Sequence, residues 1–394
     1  MREAIAAKVQ SAFERIACAT PRQWLYLFED GGVVFSESSN RFAGLGASGV
    51  AAYLALDGGA SLADLRHSFC GDLANAAAST NLEAIFALTR GIFPRDESDS
   101  EIWPEPDLSG NISKSPSSSR VHLHGISMQV DFPAGIGGEL CRDCFRGSQA
   151  CAEPVRWRIA AQQKNACWVI FLNGQELFSL ADERQMGLGM LHAARSLVYT
   201  EGQYDVGFHA GMVAGDDFSL MLCAPREAGK STLAAYLVAQ GYDLIADEPA
   251  LLDLASGAVA PLRLPISLKE GSWTVLEEQW PQLASAPVHL RSDGRRIRLL
   301  HPGNISWRQR QATQIVFPRY KPDVAPEFEF LSPLQTLQLL HEGGMLLAKS
   351  FSRERFESLL EWLVRIPGYR MQYASLEEAQ LMLEKSSDAT GNSR

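Results

Sequence analysis

One stretch constrains this chain more than any other: residues 218–248, FSLMLCAPREAGKSTLAAYLVAQGYDLIADE. FSLMLC (218–223) is an apolar run with the length of a buried strand. STLAAYLVAQ (231–240) is a helix ended by Gly241, and YDLIAD (242–247) is the next strand. Between the first strand and the helix lie Ala224, Pro225, Arg226, Glu227, Ala228, Gly229, Lys230, Ser231 and Thr232. A loop that leaves a strand and opens a helix aims free backbone N–H groups outward at the positive end of the helix dipole, which suits an anion. Gly229 admits a close approach of the backbone, Lys230 can reach β- and γ-phosphates, and the Ser231 hydroxyl can ligate Mg²⁺. The first glycine of the usual phosphate-loop pattern is Ala224 here. A Gly-Lys-Ser at a helix start can also be a solvated lysine beside a common helix-start serine. The strand before it and the helix after it favour a nucleotide site over 224–232, with ATP and Mg²⁺ as the expected ligands.

Asp247-Glu248 ends the strand that follows the loop helix. Ligands of open α/β sheets collect at the carboxyl ends of strands. Two adjacent carboxylates there can divide two tasks, holding Mg²⁺ beside Ser231 and accepting a proton from an attacking hydroxyl. Alone, the pair would read as a solvated acidic turn before Pro249; beside a phosphate loop it reads as functional.

The rest of the chain narrows the setting. With 394 residues, 46% of them hydrophobic, there is material for two or three domains with proper cores. No apolar run reaches the roughly 18 residues that span a bilayer. The N-terminal MREAIAAKVQSAFERIA (1–17) reads as an amphipathic helix without signal-peptide features, so a cytoplasmic protein is expected, with no membrane partner. A formal net charge of -10 argues against a nucleic-acid-binding surface. The seven cysteines are expected as reduced thiols. Cys141, Cys144 and Cys151 have spacing that could grip zinc with Cys167, His122 or His124 as a fourth ligand, but no second C-x-x-C pair exists and ordinary thiols are favoured.

Residues 95–120, rich in Ser, Pro and acidic side chains, read as a flexible linker, and residues 386–394 as a disordered tail. Before the linker, strands are expected at 24–30, 33–37 and 40–45, then helices at 47–56, 61–69 (capped by Ser61) and 80–93, the last opened by a Thr80/Glu83 capping box. After the linker, 250–261 reads as a hairpin turning at Ser256-Gly257. Ser332-Pro333-Leu334-Gln335 and Ser375-Leu376-Glu377-Glu378 each open a helix.

HAGMVAGDDFSLMLCAPREAGKSTLAAYLVAQGYDLIADE (209–248) resembles the catalytic core of HPr kinase/phosphorylase and its kinase relatives. The resemblance extends through RLPISLKEGS (263–272), IVFPRY (315–320) and IPGYRMQYASLEEA (366–379), and so covers about residues 200–380. It implies a phosphate-loop α/β kinase domain in which Lys230 and Ser231 bind nucleotide and metal. Asp247 would deprotonate the target hydroxyl, and His209 would stand near the catalytic carboxylate. Arg263, Lys269 and Arg319 are candidate phosphate or transition-state contacts, as positive groups that offset developing charge, with Arg319 a catalytic candidate that would join Lys230 in stabilising the transferring phosphoryl group, and Arg263 and Lys269 substrate-binding candidates. HPr kinases usually carry two Asp residues where this chain has Asp247-Glu248, and the segment linked to phosphorolysis is replaced near FPRY. The resemblance therefore does not reach the reverse reaction, nor HPr as the substrate.

VVFSESSNRFAGLGASGVAAYLALDGGASLADL (33–65) is similar to PqqD-like domains, the leader-peptide recognition elements of ribosomal-peptide modification. That resemblance implies a small α+β, winged-helix-like unit that takes up an extended peptide as an added strand. A winged-helix scaffold with another binding role is the alternative. The expected organisation is a PqqD-like unit at 1–94 that holds a precursor's leader, the linker at 95–120, an HPr-kinase-like domain at 121–385 and the tail at 386–394. The expected activity is phosphorylation of a hydroxyl side chain, Ser first, on a ribosomally made peptide or small protein. A small-molecule kinase and a non-catalytic, nucleotide-gated binding protein are the competing readings, and the sequence allows a homo-oligomer.

Overall fold

The structure is a computed structural model; it describes residues 13–63, 65, 76–93, 117–148, 154–165, 167–216, 218–225 and 228–391. It is mixed α/β and divides into two compact units: residues 1–101, 330–341 and 349–368, and residues 102–329, 342–348 and 369–394. No helix among the described residues is long and apolar enough to cross a membrane.

In the first unit, Glu14–Ala17, Gln23–Phe28, Gly31–Ser36 and Arg41–Gly46 form a four-stranded antiparallel sheet in that order. Strand side chains alternate between faces. Leu25, Val34 and Leu45 therefore go to one face, where they meet Tyr53 of helix Ala47–Asp57 and Leu88 of helix Ala76–Thr89. Tyr26, Phe35 and Phe42 go to the other and pack on Phe356 of helix Arg353–Arg365. The Phe35 and Phe356 rings are parallel within 3°, with centroids 4.2 Å apart.

Several expectations change here. Glu14–Ala17, read as part of an amphipathic helix, is a strand paired with Trp24–Leu27, because a ladder with an adjacent strand outweighs a short helical period. The helix expected at 80–93 runs Ala76–Thr89, which puts Thr80 inside the helix and not at its cap. Most of the helix expected at 61–69 and nearly all of the linker at 95–120 lie outside the described residues. The boundary at 1–94 moves as well: residues 330–341 and 349–368, assigned by sequence to the kinase domain, pack within the first unit. Helix Pro333–Glu342 opens as expected, with the Ser332 hydroxyl accepting from Gln335 N–H and the Gln335 side chain accepting from Ser332 N–H.

Phe356 is fully buried in that aromatic stack. Phe356→Ala should destabilise the first unit by about 3–5 kcal/mol, the usual cost of emptying a buried aromatic site. Trp24, stacked on Phe35, offers a fluorescence probe for urea unfolding. A loss below about 1 kcal/mol would show that the sheet does not depend on the helix contributed by 349–368.

The second unit holds the loop. Its central sheet has the order Asp243–Asp247, Ala210–Ala214, Ser219–Cys223, Gln314–Tyr320, Gly368–Tyr373, Glu327–Leu331. Ala210–Ala214 runs antiparallel to both of its neighbours, and Gln314–Tyr320 runs parallel to Ser219–Cys223. The strand after the loop helix is thus separated from the strand before it by a reversed one, and the sheet is mixed rather than purely parallel. The carboxyl ends of 219–223, 243–247 and 314–320 still share one edge. Helix Lys230–Ala239 buries Leu233, Leu237 and Val238 against Leu220, Leu222 and Leu244.

Residues 117–201 add a five-stranded sheet from Ser117–Leu123 to Gln175–Leu180, with helices Ile136–Cys144 and Met186–Glu201 in its core. The hairpin at Ala250–Asp253 and Ala258–Ala260 turns where expected, with Gly257 at φ 66°. Helix Leu376–Gly391 opens on the Ser375 hydroxyl, which accepts from Glu378 N–H, and runs through part of the segment expected as a tail. Ser386 sits at the start of that segment and donates to the Leu383 carbonyl.

Candidate functional site

Ser219–Cys223 is wholly buried, and the chain leaves it at Ala224 with 2% of that residue exposed. Arg226 and Glu227 lie outside the described residues. Gly229 stands at the N-cap of the loop helix at φ 92°, a left-handed backbone that side chains disfavour. A Cβ there would also lie 3.1 Å from the Tyr373 hydroxyl and 3.7 Å from Tyr320 Cβ. The left-handed backbone therefore favours glycine, and the Tyr373 hydroxyl adds a tight contact. The Lys230 ammonium folds back and donates to the Ala224 carbonyl. Burial lowers its pKa, against the upward pull of Glu248, Cys223 and Asp247. The Thr232 hydroxyl lies 2.6 Å from Ser272 Oγ, which ties the first helical turn to the helix Glu270–Trp273.

The carboxylate pair meets this loop, as the shared strand edge requires. The Ser231 hydroxyl donates to Asp247 Oδ1 at 3.3 Å, and the Ser267 N–H donates to Asp247 Oδ2 at 3.1 Å. Asp247 is 4% exposed. Burial and the neighbouring charge of Glu248 push its carboxyl above the usual Asp range, against the Ser267 N–H, Arg195 and Ser231. Glu248 has φ 49°, unusual for a side-chain-bearing residue, and such strain tends to be kept where a site needs it. Its Oε1 is 2.6 Å from His209 Nδ1. Burial acts upward on Glu248, but the His209 hydrogen bond and the charges of Arg195, His209 and Lys230 outweigh it and hold the carboxyl at about 2. His209 thus contacts the second carboxylate of the pair.

The other sequence candidates scatter. Lys269 ends strand Ile266–Lys269, two residues past the N–H that holds Asp247, and its charge bears on Lys230. Arg263 lies with its guanidinium 3.3 Å above the Trp307 ring. Arg319 is exposed near the end of Gln314–Tyr320. Its neighbour Tyr320 has its Cβ toward Gly229, so the alternation of the strand turns Arg319 to the opposite face. Sequence reasoning missed Ser267, Tyr373 and Arg195. Only Arg195 left a local signal, as a lone charge between the buried Ala194 and Ser196 of an apolar helix.

Of the zinc candidates, Cys141 and Cys144 are buried on one helix, Cys167 is exposed, and Cys151 lies outside the described residues. His122 Nδ1 is 3.1 Å from Ser127 Oγ, and His124 Nε2 is 2.8 Å from the Gln203 carbonyl oxygen. Among the described residues no group of three or more His, Cys, Asp or Glu side chains is placed to hold a metal ion.

No family model matches the chain, and no curated protein matches it significantly.

Proposed function

We propose that the chain is a cytoplasmic Mg-ATP-dependent phosphotransferase of HPr-kinase-like architecture that phosphorylates a hydroxyl side chain, Ser first, of a ribosomally made peptide or small protein. One observation carries the reading: the Ser231 hydroxyl and the Asp247 carboxylate meet at 3.3 Å at the mouth of a loop whose helix starts on a left-handed glycine. Ser231, Asp247 and Glu248 offer the hard oxygen ligands that Mg²⁺ prefers, so the donor set fits the metal. When bound, Mg²⁺ would offset phosphate charge.

The residues then divide the work. The loop 224–232 cradles the phosphates through its backbone, and Lys230 turns from the Ala224 carbonyl to the β- and γ-phosphates. Asp247, more basic than an ordinary Asp, takes the acceptor's hydroxyl proton as that oxygen attacks the γ-phosphorus and the bond to the ADP oxygen breaks. Glu248 stays ionised through its contact with His209. The four-stranded sheet of the first unit is the proposed seat of the leader peptide, as an added edge strand.

The test uses the full chain. Calorimetry should find Mg-ATP binding that weakens when Mg²⁺ is withheld. Labelled γ-phosphate should pass to Ser-containing synthetic peptides in preference to small hydroxyl metabolites. Absence of Mg-ATP binding would sink the reading, and label found only on metabolites would make the chain a small-molecule kinase.

A further inference from the structure

We infer that Arg195 is the guanidinium that grips the transferring phosphoryl group, an assignment that rests on the phosphotransferase reading above. Arg195 lies on helix Met186–Glu201, far in sequence from the loop. Ala193, Ala194, Leu197 and Val198 of this helix share a core with Ala246 and Leu251. One turn past Arg195, the Tyr199 ring lies against Gly207, where an added Cβ would meet it at 2.8 Å. Gly207 pairs with Leu251, and Phe208 pairs with Ala250. His209 follows Phe208, and Glu248 stands two residues before Ala250. The Tyr199 end of the helix therefore touches the strand that leads to His209, and the helix shares a core with the segment that carries the carboxylate pair.

Arg195 Nε and Nη2 are buried and have no hydrogen-bond partner among the described residues. A buried donor without an acceptor is costly, and a charged one more so. No carboxylate takes these N–H groups among the described residues: Asp247 accepts from Ser231 and Ser267, and Glu248 Oε1 meets His209. Arg263, Arg298, Arg310 and Arg353 also have a buried Nε without a hydrogen-bond partner, but among the described residues only Arg195 has two such nitrogens on one guanidinium. What Arg195 lacks is an anionic oxygen acceptor, and the site's reaction brings one: the equatorial oxygens of a phosphoryl group in flight, which a planar guanidinium can hold with two parallel N–H bonds. Its value is then realised in the transition state rather than in nucleotide binding.

ADP with aluminium fluoride mimics that state and needs no knowledge of the acceptor. In the full-length protein, Arg195→Ala should leave ADP affinity within about 3-fold of the unaltered chain. It should weaken the ADP–fluoride complex by about 100-fold or more, in keeping with the rate effects of arginines at such sites. Added guanidinium should restore part of the loss. Arg195→Lys, which keeps the charge but not the fork, should lose at least about 10-fold and decides the matter if the alanine variant does not fold. Equal fluoride-complex affinity in the unaltered and variant chains, or equal loss of ADP and ADP–fluoride binding, would overturn the assignment of Arg195 alone. An unaltered chain that binds ADP but never the fluoride complex would remove the phosphotransfer reading and the role of Arg195 with it.

Discussion

Asn in place of Asp247 is expected to slow phosphoryl transfer about 10²–10⁴-fold, the range for a lost general base, while Mg-ATP still binds. The substitution is nearly isosteric. One amide oxygen can still accept from the Ser267 N–H, and the amide nitrogen can donate to Ser231 Oγ where the carboxylate accepted from it. The local fold therefore survives. What disappears is a negative charge and a basic lone pair in a place where burial and Glu248 already make the carboxyl more basic than usual. Turnover at saturating Mg-ATP is the measurement, with Glu248→Gln as its companion. Near-normal turnover in Asp247→Asn with a dead Glu248→Gln would exchange the two roles and make the His209-bound carboxylate the base.

Lys230→Ala is expected to weaken Mg-ATP binding about 100-fold or more, because a charge-assisted contact in a partly desolvated site is removed from a polyanion. Stability should change little. The ammonium already bears a desolvation cost, since burial lowers its pKa, and its one described hydrogen bond goes to its own loop carbonyl. Circular dichroism should match the unaltered chain while calorimetry loses the binding signal. Unchanged affinity would take the loop out of the mechanism and leave the Gly229 turn as a structural device.

The packing of the first unit also changes how its peptide role is to be tested. Residues 1–94 alone would lack Phe356, and with it the cover over Tyr26, Phe35 and Phe42. Leader binding is therefore to be measured on the full chain.

Local pattern was enough wherever one short segment carried its own physics. The apolar run at 219–223, the glycine at 229, the turn at Ser256-Gly257 and the Ser332/Gln335 cap all stand where sequence put them, because each is decided by neighbours a few residues away. The adjacency of Ser231 and Asp247 was legible too, since a strand–loop–helix–strand unit returns the second strand's carboxyl end to the loop. Sequence alone could not give the reversed strand Ala210–Ala214 between those two, since strand order depends on long-range pairing. Nor could it give Ser267, whose N–H reaches Asp247 from 20 residues on, or the membership of 349–368 in the first unit, which rests on an aromatic stack between residues hundreds of positions apart. Arg195 shows the division most plainly. Its sequence neighbours mark it as a charge out of place in an apolar helix, but only the tertiary structure, in which Tyr199 of that helix meets Gly207 and the helix shares a core with Ala246, decides which carboxylates its charge reaches, because burial and field strength do not belong to the chain alone.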